Sequence, residues 1–275
     1  MRSDDTRGDA GGQDEESSLI ATKGYQHGFF SRFREDFTDF ATRERKARTM
    51  LAVLRDHLGD RLPLCHVLNV GTSTGALDNF LADHVKSVCG IDIDTEAIAL
   101  AQSRFAKPNL QYTTGDAMNL SAEDASVDVV VCTHVYEHVP DAGRLMQEVH
   151  RVLKPGGICY FAAVNRFVFL EPHYRIPLLA IMPRPIADLL MRITGKGNAY
   201  YEELLSLRSL RSLTDQFAVH DYTRGLIEDP VRWATDYMLP PGSIKHLLAR
   251  VTARLAYPLV PTYVWILEKK DAGPR

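Results

Sequence analysis

The chain has 275 residues, of which 45% are hydrophobic and 24% are charged. This length fits one large domain or two small ones, and this composition excludes disordered, collagen-like and disulfide-scaffold proteins. The formal net charge is −3 at pH 7, so the chain lacks the general basic field that holds nucleic acid. We therefore expect a globular protein that does not bind DNA.

The cysteines and the N-terminal segment indicate a reducing compartment. The four cysteines, Cys65, Cys89, Cys132 and Cys159, form no Cys-x-x-Cys pair and no zinc-ligand cluster, so we interpret them as buried thiols. No uninterrupted apolar stretch reaches the roughly 18 residues of a membrane span. Residues 1–18 carry six acids and two bases without an apolar core, which is unlike a signal peptide. We expect a disordered acidic tail over 1–18 and a cytoplasmic location.

Apolar residues recur at the helical period through the next segment, which predicts an N-terminal helical lid over 19–64. Two groups carry the pattern, Phe29, Phe33, Phe37 and Phe40, followed by Val53, Leu54 and Leu58. We expect this lid to belong to a single domain over 19–275.

Strand-like and helical runs alternate from residue 65 to residue 164. This pattern predicts an α/β fold with a mostly parallel sheet and helices on both faces. The predicted strands are 65–70, 87–91, 110–113, 127–132 and 158–164, and the predicted helices are 76–84, 95–105 and 142–153. The run over 127–132 is apolar on both faces, as expected of a central parallel strand.

Two irregular segments, 165–200 and 223–257, interrupt the alternation. Between and after them we predict a helix over 202–213 and strands over 217–222 and 262–267. We interpret the irregular segments as insertions that cap one end of the sheet, where the acceptor of a reaction would be chosen.

A glycine turn and two carboxylates follow the first three predicted strands. The turn is VLNVGTSTG over 67–75, whose spacing differs from that of dinucleotide and phosphate loops. Asp92 can accept hydrogen bonds from both hydroxyls of a ribose, and Ile93 can cover an adenine face. Asp116 can accept a hydrogen bond from an adenine amino group, while the backbone of Ala117 or Met118 reads the ring edge. This placement predicts an adenosine-type ligand.

Five blocks of this sequence resemble those of one enzyme family. The blocks VLNVGTSTG, GIDID, GDAMNL, SVDVVVCTHVYEHVPD and EVHRVLKPGG are similar to those of S-adenosylmethionine-dependent methyltransferases with a Rossmann-like fold. The methyltransferase type 11 group, which includes ubiquinone and menaquinone biosynthesis enzymes, shows this likeness best. The resemblance implies a seven-stranded sheet whose last strand is antiparallel, and S-adenosylmethionine as the cofactor.

The resemblance also implies roles for individual residues. Gly71–Gly75 would wrap the methionine part of the cofactor, Asp92 would hold the ribose, and Asp116 would hold the adenine. Thr133 and His134 would lie near the reacting methyl group. The full set expected to bind the cofactor is Asn69, Gly71, Thr72, Ser73, Gly75, Asp92, Ile93, Asp116, Ala117, Met118, Thr133 and His134.

Two positions depart from the family pattern. An acid is usual where Asn69 stands, and a glycine is usual where Ser73 stands. Asn69 supplies no negative charge, and Ser73 adds a side chain where the backbone approaches the ligand. Neither residue is bulky or cationic, so we expect cofactor binding to survive with altered affinity.

Two histidines are candidate general bases. His138 is favoured because it follows the fourth strand, on the loop that would face the reacting methyl group, and His173 in the first insertion is the second candidate. With either base the rate should fall below a pKa near 6–7. A structural role for each histidine stays open. Glu137 and His138 are adjacent in sequence, which is a weak metal signal, and we expect no metal site.

The insertions combine basic and apolar residues. Leu247, Leu248, Val251 and Leu255 recur at helical spacing beside Lys245, Arg250 and Arg254. Such a helix suits a membrane surface or an amphiphilic anionic acceptor, so a peripheral membrane location is one hypothesis. The alternative is a surface helix that packs its apolar stripe on the sheet.

We interpret the chain as a methyltransferase for a small or lipid-like acceptor, methylated at oxygen or carbon. Two alternatives stay open, a non-catalytic S-adenosylmethionine-binding protein and an RNA methyltransferase. The second is disfavoured because CTHV over 132–135 stands where enzymes that methylate base amines carry an Asn-Pro-Pro-Tyr type of motif. The sequence does not indicate the oligomeric state.

Overall fold

The computed structural model describes residues 39–270. The predicted acidic tail and the phenylalanines before Phe40 lie outside this range. The helices are α1 (Phe40–Leu58), α2 (Ala76–Leu81), α3 (Thr95–Arg104), α4 (Ala142–Val152), α5 (Arg184–Ile193), α6 (Leu207–Leu213), α7 (Thr223–Glu228) and α8 (Ile244–Leu255). The strands are β1 (His66–Val70), β2 (Ser87–Asp92), β3 (Leu110–Thr114), β4 (Val127–Thr133), β5 (Leu153–Val164), β6 (Phe217–Asp221) and β7 (Thr262–Lys269).

The strands form one seven-stranded sheet in the order β3-β2-β1-β4-β5-β7-β6. Strands β1 to β5 pair in parallel, whereas β7 is antiparallel to both β5 and β6. The predicted fold class is thereby confirmed, including the antiparallel last strand. The strand order reverses between β1 and β4, and this is the point at which open α/β sheets bind their ligands.

Strand β4 shows why the centre of the sheet reads as a continuous apolar run. Its residues alternate between the two faces, so Val129 and Val131 pack into one core while Val130 and Cys132 pack into the other. All four of these side chains are almost completely buried. The four cysteines of the chain are free thiols in this structure; three are buried as predicted, and Cys89 is partly exposed.

Some predicted element boundaries differ from the structure. Helix α2 ends at Leu81 rather than residue 84, and β5 begins at Leu153, directly after α4. Leu153 pairs with Val127 across a bulge. The segment Pro155-Gly156-Gly157, which lies between the predicted helix and the predicted strand, therefore belongs to β5. Gly157 allows this close pairing, because a Cβ there would lie 2.8 Å from the carbonyl oxygen of Lys154.

The two insertions behave differently from the sheet. The first has a small core of its own, formed by Tyr174, Ile176, Leu179, Ala187, Met191 and Tyr200. In the second, α8 turns its apolar stripe outward, with Leu247 60% and Leu255 84% exposed, and buries His246 and Ala253 instead. The packed alternative for this helix is therefore wrong. His246 Nε2 lies 2.8 Å from the carbonyl oxygen of Ile227, and this contact fixes which face of α8 is buried.

None of the helices in the described range is long and apolar enough to cross a membrane.

Candidate active site

A cavity of about 1230 Å³ opens at the carboxyl ends of the parallel strands. Both insertions and α1 contribute to its walls, so it extends from the sheet edge into the cap. Eight of the predicted cofactor residues line it: Gly71, Ser73, Asp92, Ile93, Asp116, Ala117, Thr133 and His134. Both candidate bases, His138 and His173, line it as well.

The turn after β1 is held close to β2 by backbone hydrogen bonds. The N–H groups of Gly71 and Thr72 both donate to the carbonyl oxygen of Ile91, at 2.8 and 3.0 Å. Gly71 has a φ of +76°, and a Cβ there would lie 2.6 Å from the Val135 side chain. Glycine is needed at this position both for its backbone angle and for space. Gly75 does not line the cavity, because the Tyr112 hydroxyl donates to its carbonyl oxygen at 2.9 Å and the ring covers it.

Asp92 lies at the end of β2 with both carboxylate oxygens directed by the backbone. Its Oδ2 accepts from the N–H of Ser73 at 2.7 Å, and its Oδ1 accepts from the N–H of Asp94 at 3.0 Å. Burial raises the pKa of Asp92 above its ordinary value. A carboxylate has about four acceptor positions, so Asp92 can still accept from the predicted ribose hydroxyls.

The loop after β3 makes internal contacts at the predicted adenine position. Asp116 Oδ1 accepts from the N–H of Met118 at 2.8 Å, and the carbonyl oxygen of Met118 accepts from Arg144. Both backbone groups of Met118 are therefore engaged within the protein, whereas Asp116 and Ala117 line the cavity.

Asn69 and Thr72 point away from the cavity. Both side chains bond to Asp78, a buried acid in the first turn of α2 that the sequence analysis did not single out. Helix α1 also contributes residues that were not predicted, since Arg43 and Lys46 place positive charge on its wall of the cavity. For Asp78 the available signal was an acid among the apolar residues of a short helical segment. Arg43 and Lys46 lie in a charged run, which gave no such signal.

The two candidate bases are in contact, with ring centroids 4.8 Å apart in an edge-to-face arrangement. Burial lowers the pKa of His138 to about 3, which differs from the value near 6–7 expected of a base there. Tyr136 and Glu137, which precede His138 on the loop after β4, are both buried. The Tyr136 hydroxyl donates to the carbonyl oxygen of Val164 at 2.6 Å, so it serves the fold of the loop.

His173 is oriented by Glu171, a second acid that the sequence analysis did not single out. Glu171 is fully buried, and its Oε2 accepts from the N–H groups of His173 and Tyr174 at 2.9 and 2.7 Å. Its Oε1 lies 2.7 Å from His173 Nδ1. Burial alone lowers the pKa of His173, but the Glu171 hydrogen bond and charge, together with Glu202 and Glu137, outweigh it and raise that pKa. Nδ1 faces the carboxylate, so Nε2 is the nitrogen that can accept a proton.

Two groups of side chains in the described range bring potential metal ligands together. Glu137, His138 and His173 place one ligand atom each within 4.8 Å of one another, and His57, His220 and Glu268 do the same nearer the surface. The first group could not be recognised from sequence, because its third member comes from the insertion. Both groups are compatible with a metal ion by residue type.

An open sheet with this strand order, with carboxylates at the ends of β2 and β3, defines a Rossmann-like nucleotide-binding class. Residues 68–161 match the family described as Methyltransferase domain. The ubiquinone biosynthesis O-methyltransferase of Albidiferax ferrireducens is 30% identical over 178 residues, covering 62% of this chain and 67% of that protein. The chain belongs to the S-adenosylmethionine-dependent methyltransferases, which confirms the resemblance inferred from its motifs.

Other relatives match over shorter stretches. The ubiquinone biosynthesis O-methyltransferase of Coxiella burnetii is 33% identical over 103 residues, covering 37% of this chain. The chain thus spans 44% of the length of that relative. Among solved structures, a chain from the complex between the Haloferax volcanii Trm112 methyltransferase activator and a methyltransferase has a TM-score of 0.58 and 16% identity. This alignment covers 90% of this chain and 99% of that one, and it is a likeness of fold.

Proposed function

We propose that this protein transfers the methyl group of S-adenosylmethionine to a hydroxyl oxygen of a small, lipid-like acceptor. The observation that carries the proposal is a single cavity that joins Asp92 and Asp116 at the sheet edge to the Glu171–His173 pair under the cap. The names of the relatives favour oxygen over carbon as the atom methylated. Because these relatives align with only part of the chain, the acceptor has to be identified by experiment.

The residues at the sheet edge fit the cofactor. The Ser73 hydroxyl is buried and has no hydrogen-bond partner within 39–270, and Asp92 can accept further hydrogen bonds. Asp92 would hold the ribose, Asp116 and Ala117 the adenine, and Gly71 with Ser73 the methionine part, while Thr133 and His134 would line the reacting end. When bound, the cofactor supplies an electrophilic methyl group on a positively charged sulfur.

His173 is the general base of the proposed reaction. An acceptor hydroxyl must lose its proton, and His173 Nε2 can take that proton while Glu171 stabilises the imidazolium that forms. His138 packs edge-on against His173 and stays neutral, because its burial opposes protonation. It is therefore a positioning residue for the base. Alignment of acceptor and cofactor in the closed cavity contributes up to roughly 7–11 kcal/mol in well-oriented reactions.

The cap supports an apolar acceptor delivered from a membrane surface. Exposed apolar side chains cover the outer faces of α5 and α8, with Ile193 72% and Leu248 61% exposed, and Leu248 also lines the cavity. Lys245 and Arg192 add positive charge to these helices. An amphipathic basic surface of this kind binds anionic lipid through apolar burial and charge together. Flotation with vesicles of anionic and of neutral phospholipid tests this part of the proposal.

The test of the function is transfer of a labelled methyl group from S-adenosylmethionine to phenolic acceptors that carry an apolar tail. We expect an O-methylated product by mass spectrometry. Cofactor binding without transfer to any acceptor would favour the non-catalytic alternative. Salt-dependent binding and methylation of bulk RNA would favour the RNA methyltransferase.

A chelator control separates the base from a metal. With His173 as base, transfer should continue in excess chelator. Activity that is lost to the chelator and restored by a divalent cation would instead assign Glu137, His138 and His173 to a metal centre.

A further inference from the structure

Asp78 is a carboxylic acid buried behind the cofactor turn, with none of its surface exposed. Its Oδ1 accepts a hydrogen bond from Asn69 Nδ2 at 2.5 Å, and its Oδ2 accepts one from the Thr72 hydroxyl. Its neighbours on α2, Leu77 and Leu81, are buried apolar residues. An unpaired acid in such a place is strongly unfavourable, so these two hydrogen bonds are the reason it is tolerated.

The neighbouring strand leaves room for this pair of hydrogen bonds. A Cβ on Gly90 of β2 would lie 2.5 Å from Asp78 Oδ2 and 2.6 Å from Thr72 Oγ1. Any larger residue at Gly90 would displace the acid or the threonine. Asp78 thus joins β1 through Asn69 and the cofactor turn through Thr72, in a space that β2 keeps open.

The contact reaches the cofactor site through the backbone. Thr72 is bonded at its side chain to Asp78 and at its N–H to the carbonyl oxygen of Ile91. The next residue, Ser73, donates its N–H to Asp92 Oδ2 at 2.7 Å. Movement of Thr72 would therefore displace Ser73 and release Asp92, whereas Asp78 itself does not line the cavity.

We infer that Asp78 is the positioning residue of the cofactor turn, and that the Asn69–Asp78–Thr72 contact holds Ser73 and Asp92 in place for the ribose. This inference rests on the proposed binding of S-adenosylmethionine. It assigns Asn69 a function as the partner of the buried acid instead of a contact with the cofactor.

Burial and hydrogen bonding act on the acid in opposite directions. Burial raises the pKa of Asp78 to about 8; the hydrogen bond from Asn69 opposes that rise and the nearby charge of Asp92 adds to it. The hydrogen bonds that its two oxygens accept thus favour the carboxylate form that burial disfavours.

Isothermal titration of the full-length protein with S-adenosylmethionine tests the inference. The variants are Asp78→Ala, Asn69→Asp and the double exchange Asn69→Asp/Asp78→Asn. Asp83→Asn is the matched control, because Asp83 follows α2 and its side chain is 62% exposed.

We expect each single variant to bind the cofactor about tenfold more weakly, since Asp78→Ala removes the acceptor of both hydrogen bonds and Asn69→Asp places two acids at the 2.5 Å contact. The double exchange restores one acid and one amide, so it should recover affinity to within about threefold, by the coupling expected of residues in contact. The Asp83 variant should bind as the wild type does. Thermal melting of each variant separates loss of affinity from loss of the fold.

Asp78→Ala with wild-type affinity would overturn the inference. A second outcome would also overturn it. If the affinity falls in proportion to the melting temperature and the double exchange does not recover it, Asp78 only stabilises the fold. Wild-type protein that binds no S-adenosylmethionine would overturn the proposed function itself, a result distinct from either.

Discussion

The sheet edge and the cap differ in how their residues are fixed. At the sheet edge the turn 71–75 and Asp92 are held by backbone hydrogen bonds between adjacent strands and by the buried acid Asp78. In the cap, α5 packs into the small core of the first insertion and α8 is held by His246, while both helices expose large apolar side chains. A cofactor that is the same in every turnover suits an edge fixed by the sheet. The exposed apolar surface of the cap suits the lipid-like acceptor that we propose.

The largest expected effect lies where the two regions meet. His173→Ala should lower turnover by roughly 10²–10⁴, because the acceptor hydroxyl loses its base. Its affinity for S-adenosylmethionine, measured by titration, should stay unchanged. His138→Ala is the comparison variant and should lose less, since it removes only packing against the base. Normal turnover in His173→Ala would mean that the cap does not supply the general base.

Asp92→Ala should weaken the binding of S-adenosylmethionine and leave the cap unchanged. Losing a charged acceptor of the ribose costs about 1.5–3 kcal/mol, or roughly 10- to 150-fold in affinity. Titration calorimetry checks this value, and nicotinamide cofactors should show no binding in the same assay. An unchanged affinity for S-adenosylmethionine would mean that Asp92 does not hold the ribose.

The pH profile sharpens the assignment of the base. The imidazole must be neutral to accept a proton, so kcat/KM should rise with pH, with its acid limb above pH 6.5 because the pKa of His173 is raised. Glu171→Gln removes the charge that raises this pKa, so the acid limb should move to lower pH and the maximal rate should fall. A limb that does not move would mean that another group titrates.

The smallest effect is expected on the outer face of the cap. Leu255→Ser on α8 should change the free energy of unfolding by less than about 0.5 kcal/mol, since the side chain is 84% exposed. Leu145→Ala, in the fully buried core, should cost about 2–5 kcal/mol in the same denaturant titration. The same Leu255 variant should float less with anionic vesicles. A large loss of stability would mean that α8 packs its apolar stripe against protein.

The amino-acid sequence was sufficient for the sheet and for most of the cofactor edge. Parallel strands place consecutive turn residues and the acids after β2 and β3 at the same edge, so the turn 71–75, Asp92 and Asp116 could be read from local spacing. The central strands β1, β4 and β5 could be located because a strand buried on both faces leaves a mostly apolar run.

Only the tertiary structure decided the partners of these residues. The hydrogen bonds from Asn69 and Thr72 to Asp78, the contact of His173 with His138, and the engagement of Met118 by Asp116 all depend on which elements pack together. The outward apolar face of α8 is a further case, because a helical stripe has the same period whether it faces a core or a lipid surface. Periodicity records that a side chain is apolar or charged, whereas its burial, its pKa and its partner depend on residues distant in the chain.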